Sequence, residues 1–189
     1  MTGRGFSLQD ADPRSDEELV DAANRGDAGA FEVLYFRYRD WVVSLAFRFT
    51  RNRDDALDVL QDTFAYLLRK FPGFRLTARM TTFLYPVVKN LSLSARRKRA
   101  RYVSDEDALT ALAAPDASAD ASRKQLAVVL AGLSDAHREV LLMRFVDDMT
   151  LHEIAAVLGV PLGTVKSRLH HALSALRKDK RTREYFEPS

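Results

Sequence analysis

Between Thr164 and His171 the chain reads Thr-Val-Lys-Ser-Arg-Leu-His-His, with donors and apolar residues interleaved at helical spacing. On a helix, Thr164, Lys166, Ser167, Arg168, His170 and His171 fall on the flanks and outer face. Val165, Leu169, Ala172, Leu173 and Leu176 form the apolar stripe behind them. Cations and hydroxyls presented this way suit the phosphates and base edges of duplex DNA. A second cationic run, Arg96, Arg97, Lys98, Arg99 and Arg101, ends another helical stretch. A helix C-terminus favours cations, but this run is denser than capping requires. Aromatics (Phe74, Phe83 and Tyr85) and amides lie just upstream. That mixture suits single-stranded nucleic acid, because bases stack on rings while cations hold the backbone. The third group is acidic. Asp54, Asp55, Asp58, Gln61 and Asp62 share a helical face with no basic residue among them. Carboxylates in a first helical turn favour the dipole, which accounts for Asp54 and Asp55 better than for Asp58 and Asp62. A face that stays acidic two turns in suits a basic protein partner and not DNA.

Catalytic patterns are missing. The four histidines are His137, His152, His170 and His171, and His152–Glu153 lacks the second histidine of a zinc-protease motif. Neither a phosphate loop nor a Ser–His–Asp arrangement stands out. The chain has no cysteine, which excludes disulfides and thiolate zinc sites. The reading is therefore non-enzymatic, with no cofactor and no metal. Hydrophobic residues at 47% and charged residues at 29% are an ordinary globular balance. A net charge of +3 is only mildly basic, so nucleic-acid binding must come from local segregation of charge. No segment approaches the roughly 20 apolar residues of a membrane span, and no signal-like run opens the chain. The expectation is a soluble cytoplasmic protein without membrane insertion.

These groups need elements to hold them, and the periodicity is helical throughout. Residues 1–14 carry no pattern and read as a loose tail. Ser15 and Glu18 have capping-box spacing and open a short helix that stops at Gly26. Asp27 caps the next, where Phe31, Leu34, Tyr38, Trp41, Val42, Leu45 and Phe49 make one core face. A bend at Thr50 to Arg53 precedes a third helix, expected from about Asp54 to Phe71. Its core face is Leu57, Leu60, Phe64, Leu67, Leu68 and Phe71. Pro72 and Gly73 end it, a loop runs from Phe74 to Thr81, and Thr82 is the expected cap of a fourth helix containing Pro86. From Tyr102 to Ala121 the chain turns to Ala, Asp and Ser, with Asp105, Glu106, Asp107, Asp116 and Asp120 and no cation. This reads as a flexible acidic linker. Helices resume at Ser122, the first using Leu126, Val129, Leu130 and Leu133. Ser134 caps the next, with Val140, Leu141 and Phe145 inward. Thr150 and Glu153 form another capping box, Gly159 stops that helix, and Pro161 suits the opening of the last. Short helix, glycine turn and donor-bearing helix make a helix-turn-helix. The expected fold is all-α: two small helical domains, 15–101 and 122–178, joined by the linker 102–121 and followed by a tail at 179–189. The second is a four-helix domain.

In this arrangement the chain resembles the extracytoplasmic-function sigma factors, the two-domain promoter-recognition subunits of bacterial RNA polymerase. Four stretches carry the resemblance: DVLQDTF at Asp58–Phe64, TFLY…KN at Thr82–Asn90 with its basic end, REVLLMRF at Arg138–Phe145, and GVPLGTVKSRLHHAL at Gly159–Leu173. It implies that residues 15–101 form region two and residues 122–178 form region four. Asp58, Gln61, Asp62 and Phe64 then lie where the family docks on core polymerase. Phe74, Arg75, Phe83, Tyr85, Lys89, Asn90, Arg96, Arg97, Lys98 and Arg99 lie where it opens and reads the minus-ten element. Thr164, Lys166, Ser167, Arg168, His170 and His171 lie where it reads the minus-thirty-five element. Phe83 stands where the family commonly has tryptophan, Ser94 where aspartate is usual, and Pro86 where a helix former is usual. The implied partners are core RNA polymerase, promoter DNA and an anti-sigma factor, with the free chain monomeric. The competing reading is a stand-alone dimeric helix-turn-helix regulator. It leaves the acidic face, the basic-aromatic helix and the linker without a role.

Overall fold

The structure is a computed structural model of the 189-residue chain, and it describes residues 12–102 and 128–179. Every regular element among the described residues is helical. The chain divides into two compact units after Tyr102. The linker expected at 102–121 lies outside the described residues from 103 onward, as do Leu126 and most of both tails.

The first unit holds α1 (Asp16–Asn24), α2 (Ala28–Thr50), α3 (Arg53–Leu68) and α4 (Met80–Tyr102). The α1 capping box forms as expected: Ser15 Oγ accepts from Glu18 N–H at 3.2 Å, and a Glu18 carboxylate oxygen accepts from Ser15 N–H at 2.7 Å. Gly26 follows with φ +93°, a left-handed turn that leads into the Asp27 cap of α2. α2 is the central element and packs against α1, α3 and α4, while α3 and α4 pack on each other. Leu19, Leu34, Leu45, Leu67, Met80 and Leu84 are fully buried at the centre. Truncating any one to alanine costs about 2–5 kcal/mol at such sites.

Four expectations are corrected in this unit. Residues 12–14 are held and not loose: Arg14 pairs with Asp12 at 2.7 Å and Asp27 at 3.3 Å, and Arg37 donates to the Asp12 and Arg14 carbonyls. Arg37 also pairs with Asp16, which accepts from the Tyr38 hydroxyl as well. The cap of α3 is Asn52, whose side chain accepts from Asp55 N–H at 2.9 Å, and the helix stops at Leu68. Leu57 and Leu68 lie at 41% and 55% exposure and so leave the core face. Finally, α4 starts at Met80 and not at a Thr82 cap. Its first bond runs from Phe83 N–H to the Arg79 carbonyl, because Met80 is drawn into the core and takes the chain into helix early. Pro86 therefore sits inside the helix, where it lacks the N–H that would bond four residues back.

The second unit holds helical residues 128–131 (α5), α6 (Asp135–Phe145), α7 (Leu151–Leu158) and α8 (Leu162–Lys178). Its core gathers Val129, Leu133, Leu141, Ala172 and Leu176, with Leu130, Leu169 and Leu173 packed against them. Both expected caps form: Ser134 accepts from His137 N–H, and Thr150 and Glu153 close a full capping box. Gly159 ends α7 at φ +63°. A Cβ there would meet nothing within 4 Å, so the backbone angle, not space, calls for glycine. Pro161 occupies the position just before α8 and not its first turn. Phe145, expected inward, is 62% exposed beside Val146 at 61%.

Candidate nucleic-acid interface

α8 displays the donors that its periodicity assigns outward. Lys166, Ser167, His170 and His171 are exposed, and Thr164 and Arg168 are half-buried. Val165, Ala172 and Leu176 face inward. The three histidines of this face and its neighbour gather: His171 lies 5.9 Å from His137 of α6 and 5.8 Å from His170, ring centre to ring centre. α7 packs against α8 across the Gly159 turn, so the outer face of α8 is carried on a braced helix pair. A residue not singled out from sequence fixes the other side of the unit. Arg138, in the first turn of α6, donates from Nε to the Leu130 carbonyl at 2.7 Å. Its terminal nitrogens donate to Ala131 at 3.0 Å, Leu133 at 2.8 Å and the Asp135 carboxylate at 3.1 Å. One planar guanidinium thus closes the C-terminal carbonyls of α5.

In the first unit the aromatic residues sort by burial. Phe83 is half-buried, tilted against Phe74 at 4.8 Å and stacked on Tyr66 at 6.5 Å, with Lys70 Nζ 4.7 Å above the Tyr66 ring. Phe74 and Tyr85 are 8% and 2% exposed. Phe74 sits on Phe71 and Phe83, and Tyr85 meets Phe49 edge-on at 6.3 Å. Both expected DNA-contact rings are thus enclosed by neighbouring rings at the base of the loop and along α4. Lys89 is half-buried, with its ammonium 5.9 Å from the Phe49 ring centre, and Asn90 is exposed one residue on. Arg75 is exposed in the loop. Arg96, Arg97 and Lys98 are exposed along the end of α4. Arg99 differs, because its guanidinium reaches Asp55 of α3 at 3.5 Å and spends part of its charge there.

The acidic face of α3 is exposed at Asp54, Asp58, Gln61 and Asp62. Leu57 and Leu68 join it, so the surface combines carboxylates with apolar contact area. Phe64 does not join it. At 5% exposure its ring is held by Tyr35 at 4.8 Å and Phe31 at 6.3 Å, beneath the exposed face. The described helices include none long and apolar enough to cross a membrane, and the described residues include no cluster of three or more potential metal ligands.

A helix-turn-helix unit and a second helical unit with segregated acidic and basic faces define a DNA-binding protein that also engages protein. Residues 34–102 match sigma-70 region 2, and residues 129–178 match sigma-70, region 4. The chain is 32% identical over 157 residues to RNA polymerase sigma factor CarQ of Myxococcus xanthus, covering 81% of this chain and 90% of that protein. It is 29% identical over 182 residues to the ECF RNA polymerase sigma factor SigW of Bacillus subtilis, covering 87% and 96%. Its fold matches that of the sigma factor RpoE, solved in complex with the anti-sigma factor NepR from Bartonella quintana. That match has a TM-score of 0.60 and 24% identity over 78% of this chain and 94% of the other. The chain belongs to the extracytoplasmic-function group of the sigma-70 family. Sigma factors are non-catalytic subunits that bind core RNA polymerase and direct it to promoter DNA. The stand-alone regulator is thereby set aside.

Proposed function

We propose that the two units divide promoter recognition as follows. Residues 15–101 bind core polymerase through Asp58, Gln61 and Asp62, with Leu57 and Leu68 supplying apolar contact. The same unit engages the minus-ten element through the 74–81 loop, Phe83, Lys89 and Asn90, with Arg96, Arg97 and Lys98 on nearby phosphates. Residues 122–178 read the minus-thirty-five element through Lys166, Ser167, Arg168, His170 and His171, with Thr164 at the helix start. The observation that carries this reading is the segregation of charge within one small unit. The exposed face of α3 is acidic and partly apolar, while the exposed end of α4 is basic. A single unit so divided is suited to holding a protein with one face and a nucleic-acid backbone with the other.

The reading places the protein in the cytoplasm, where polymerase and chromosome are. It also includes an anti-sigma factor as a partner, the Bartonella quintana sigma factor that shares the fold having been solved in complex with one. Run-off transcription with purified bacterial core polymerase over a promoter library is the direct test. The expected result is dependence on two spaced elements. Tight dimerisation with nanomolar duplex binding in the absence of core would refute it.

A further inference from the structure

The base of the 74–81 loop is fastened by a side chain fifty residues away. Asn24, the last residue of α1, is half-buried against it. Its Oδ1 accepts from Gly73 N–H at 2.7 Å and from Phe74 N–H at 3.1 Å. Its Nδ2 donates to the Phe74 carbonyl at 2.8 Å. These three bonds use both ends of the amide, and they fix its orientation without ambiguity. Gly73 is at φ +102°, so the chain turns sharply where the amide grips it. Below the grip, the Phe74 ring is wedged between Phe71 at 5.6 Å and Phe83 at 4.8 Å. Above it, Arg75, Thr77 and Ala78 are exposed.

α1 is itself held at its other end, by the Arg37–Asp16 pair and the capping box of Ser15. Leu19, Val20 and Ala22 bury its inner side. The helix is therefore a short strut running from the α2 surface to the loop base. Residues 34–102 are those that match sigma-70 region 2, so this strut lies outside the matched stretch.

We propose that Asn24 is a positioning residue for promoter reading: it sets the height and direction of the 74–81 loop, and through Phe74 the tilt of Phe83. The proposal rests on the assignment of that loop to the minus-ten element. A loop anchored at its base by three bonds to its backbone and exposed at its crown can meet an unstacked strand without first being ordered. Ordering a loop at the moment of binding costs affinity, and prior anchoring removes that cost.

The test uses the full chain, alone and bound to core polymerase, with Asn24→Ala and Asn24→Asp. Aspartate keeps both acceptor bonds and loses the donor to the Phe74 carbonyl. Amide hydrogen exchange at Gly73 and Phe74 is expected to quicken in Asn24→Ala and to a lesser extent in Asn24→Asp. In the holoenzyme, Asn24→Ala is expected to slow open-complex formation on the preferred promoter by about tenfold, the equivalent of one or two net hydrogen bonds. It should also flatten discrimination against single minus-ten substitutions, with core affinity unchanged and partial rescue by Asn24→Asp. Unchanged exchange at Gly73 and Phe74 would overturn the anchor. Faster exchange with an equal loss on every promoter would overturn the positioning role and leave Asn24 as a stabilising residue. Asn90→Ala, run in parallel, separates the two layers. If it too leaves minus-ten discrimination intact, the assignment of the loop and α4 to promoter reading has failed, whatever Asn24 does.

Discussion

Replacing Arg138 with alanine should destabilise the second unit by about 2–4 kcal/mol, since net hydrogen bonds from a charged donor are worth roughly 1.5–3 kcal/mol each but do not add in full. The magnitude follows from what the guanidinium touches. Three of its bonds, at 2.7, 3.0 and 2.8 Å, reach the Leu130, Ala131 and Leu133 carbonyls at the end of α5 and in the turn after it. The Leu130 carbonyl also accepts from Leu133 N–H at 3.2 Å, while the Ala131 and Leu133 carbonyls lie at the helix end and just past it, where intrahelical donors run out. Water can reach some of them after truncation, which keeps the loss below the sum of three. The fourth contact, to Asp135, adds little, because that carboxylate is 99% exposed. Amide exchange in the full chain reads the effect by unit. Protection at Val140, Leu141 and Met143 should fall by about 30- to 900-fold, the equivalent of that free energy, while α2 and α3 keep theirs. Arg138→Lys should recover less than half, because an ammonium cannot hold three carbonyls in one plane. Equal protection in Arg138→Ala and the parent, or full recovery with lysine, would refute the clamp.

The remaining expectations concern binding and pH. Asp58→Lys combined with Asp62→Lys should abolish co-purification with core polymerase while leaving helix content intact, since both side chains are exposed. Lys166→Ala and Arg168→Ala should each weaken minus-thirty-five recognition by about 1–3 kcal/mol if the residue meets a base edge, read as a loss confined to particular promoter positions. A uniform loss across sequences would mean phosphate contact instead. Asn90→Ala should slow melting more than it weakens closed-complex binding, which permanganate reactivity distinguishes. The N-terminal clasp should respond to acid. The bond from Arg14 holds the Asp12 carboxyl down at about 2, from an ordinary 3.8, and the Ala30 amide lowers that of Asp27. Both groups have folded values below their unfolded ones, so their contribution is present above the ordinary carboxylate range and is lost as pH falls through the folded values, toward about 2 for Asp12. Carboxyl NMR shifts would report the titration, and a normal midpoint for Asp12 would contradict the pairing.

What the sequence made legible was whatever depends on short-range spacing. Capping boxes at Ser15 and Thr150, the Asp27 cap and the left-handed stop at Gly159 involve residues within a few positions of each other, and each is found as expected. The outward set on α8 follows equally from a 3.6-residue period. The misses share a different cause. Leu57, Leu68 and Phe145 fit an apolar period, yet period alone does not say where a helix runs out of neighbours. Phe64, Phe74 and Tyr85 sit in promising company along the chain, but their burial is decided by Tyr35, Phe71 and Phe49 on other segments. Asn24 and Arg138 were invisible for the same reason. An asparagine at a helix end and an arginine in a first turn look ordinary until the carbonyls and amides they meet are placed in space.

The helix-turn-helix is the most recognisable stretch of the chain, and physical argument limits what it can do alone. Its exposed face offers a handful of donors, and good base pairings of this kind are worth about 1–3 kcal/mol each. Nonspecific attraction adds little on a chain whose net charge is +3, and what it adds declines with salt. A single recognition helix with no second half-site lacks the doubling by which dimeric regulators reach useful affinity. The acidic and apolar face of α3 supplies the alternative. In the proposed arrangement, anchoring that face on polymerase raises the local concentration of both proposed DNA-reading surfaces at their two elements, so that two weak contacts act as one. Selectivity of this kind is a property of the holoenzyme. The proposed division of labour predicts that binding of the isolated chain to duplex promoter DNA is weak and barely sequence-dependent, while substitutions of the α8 donors shift promoter choice by the holoenzyme.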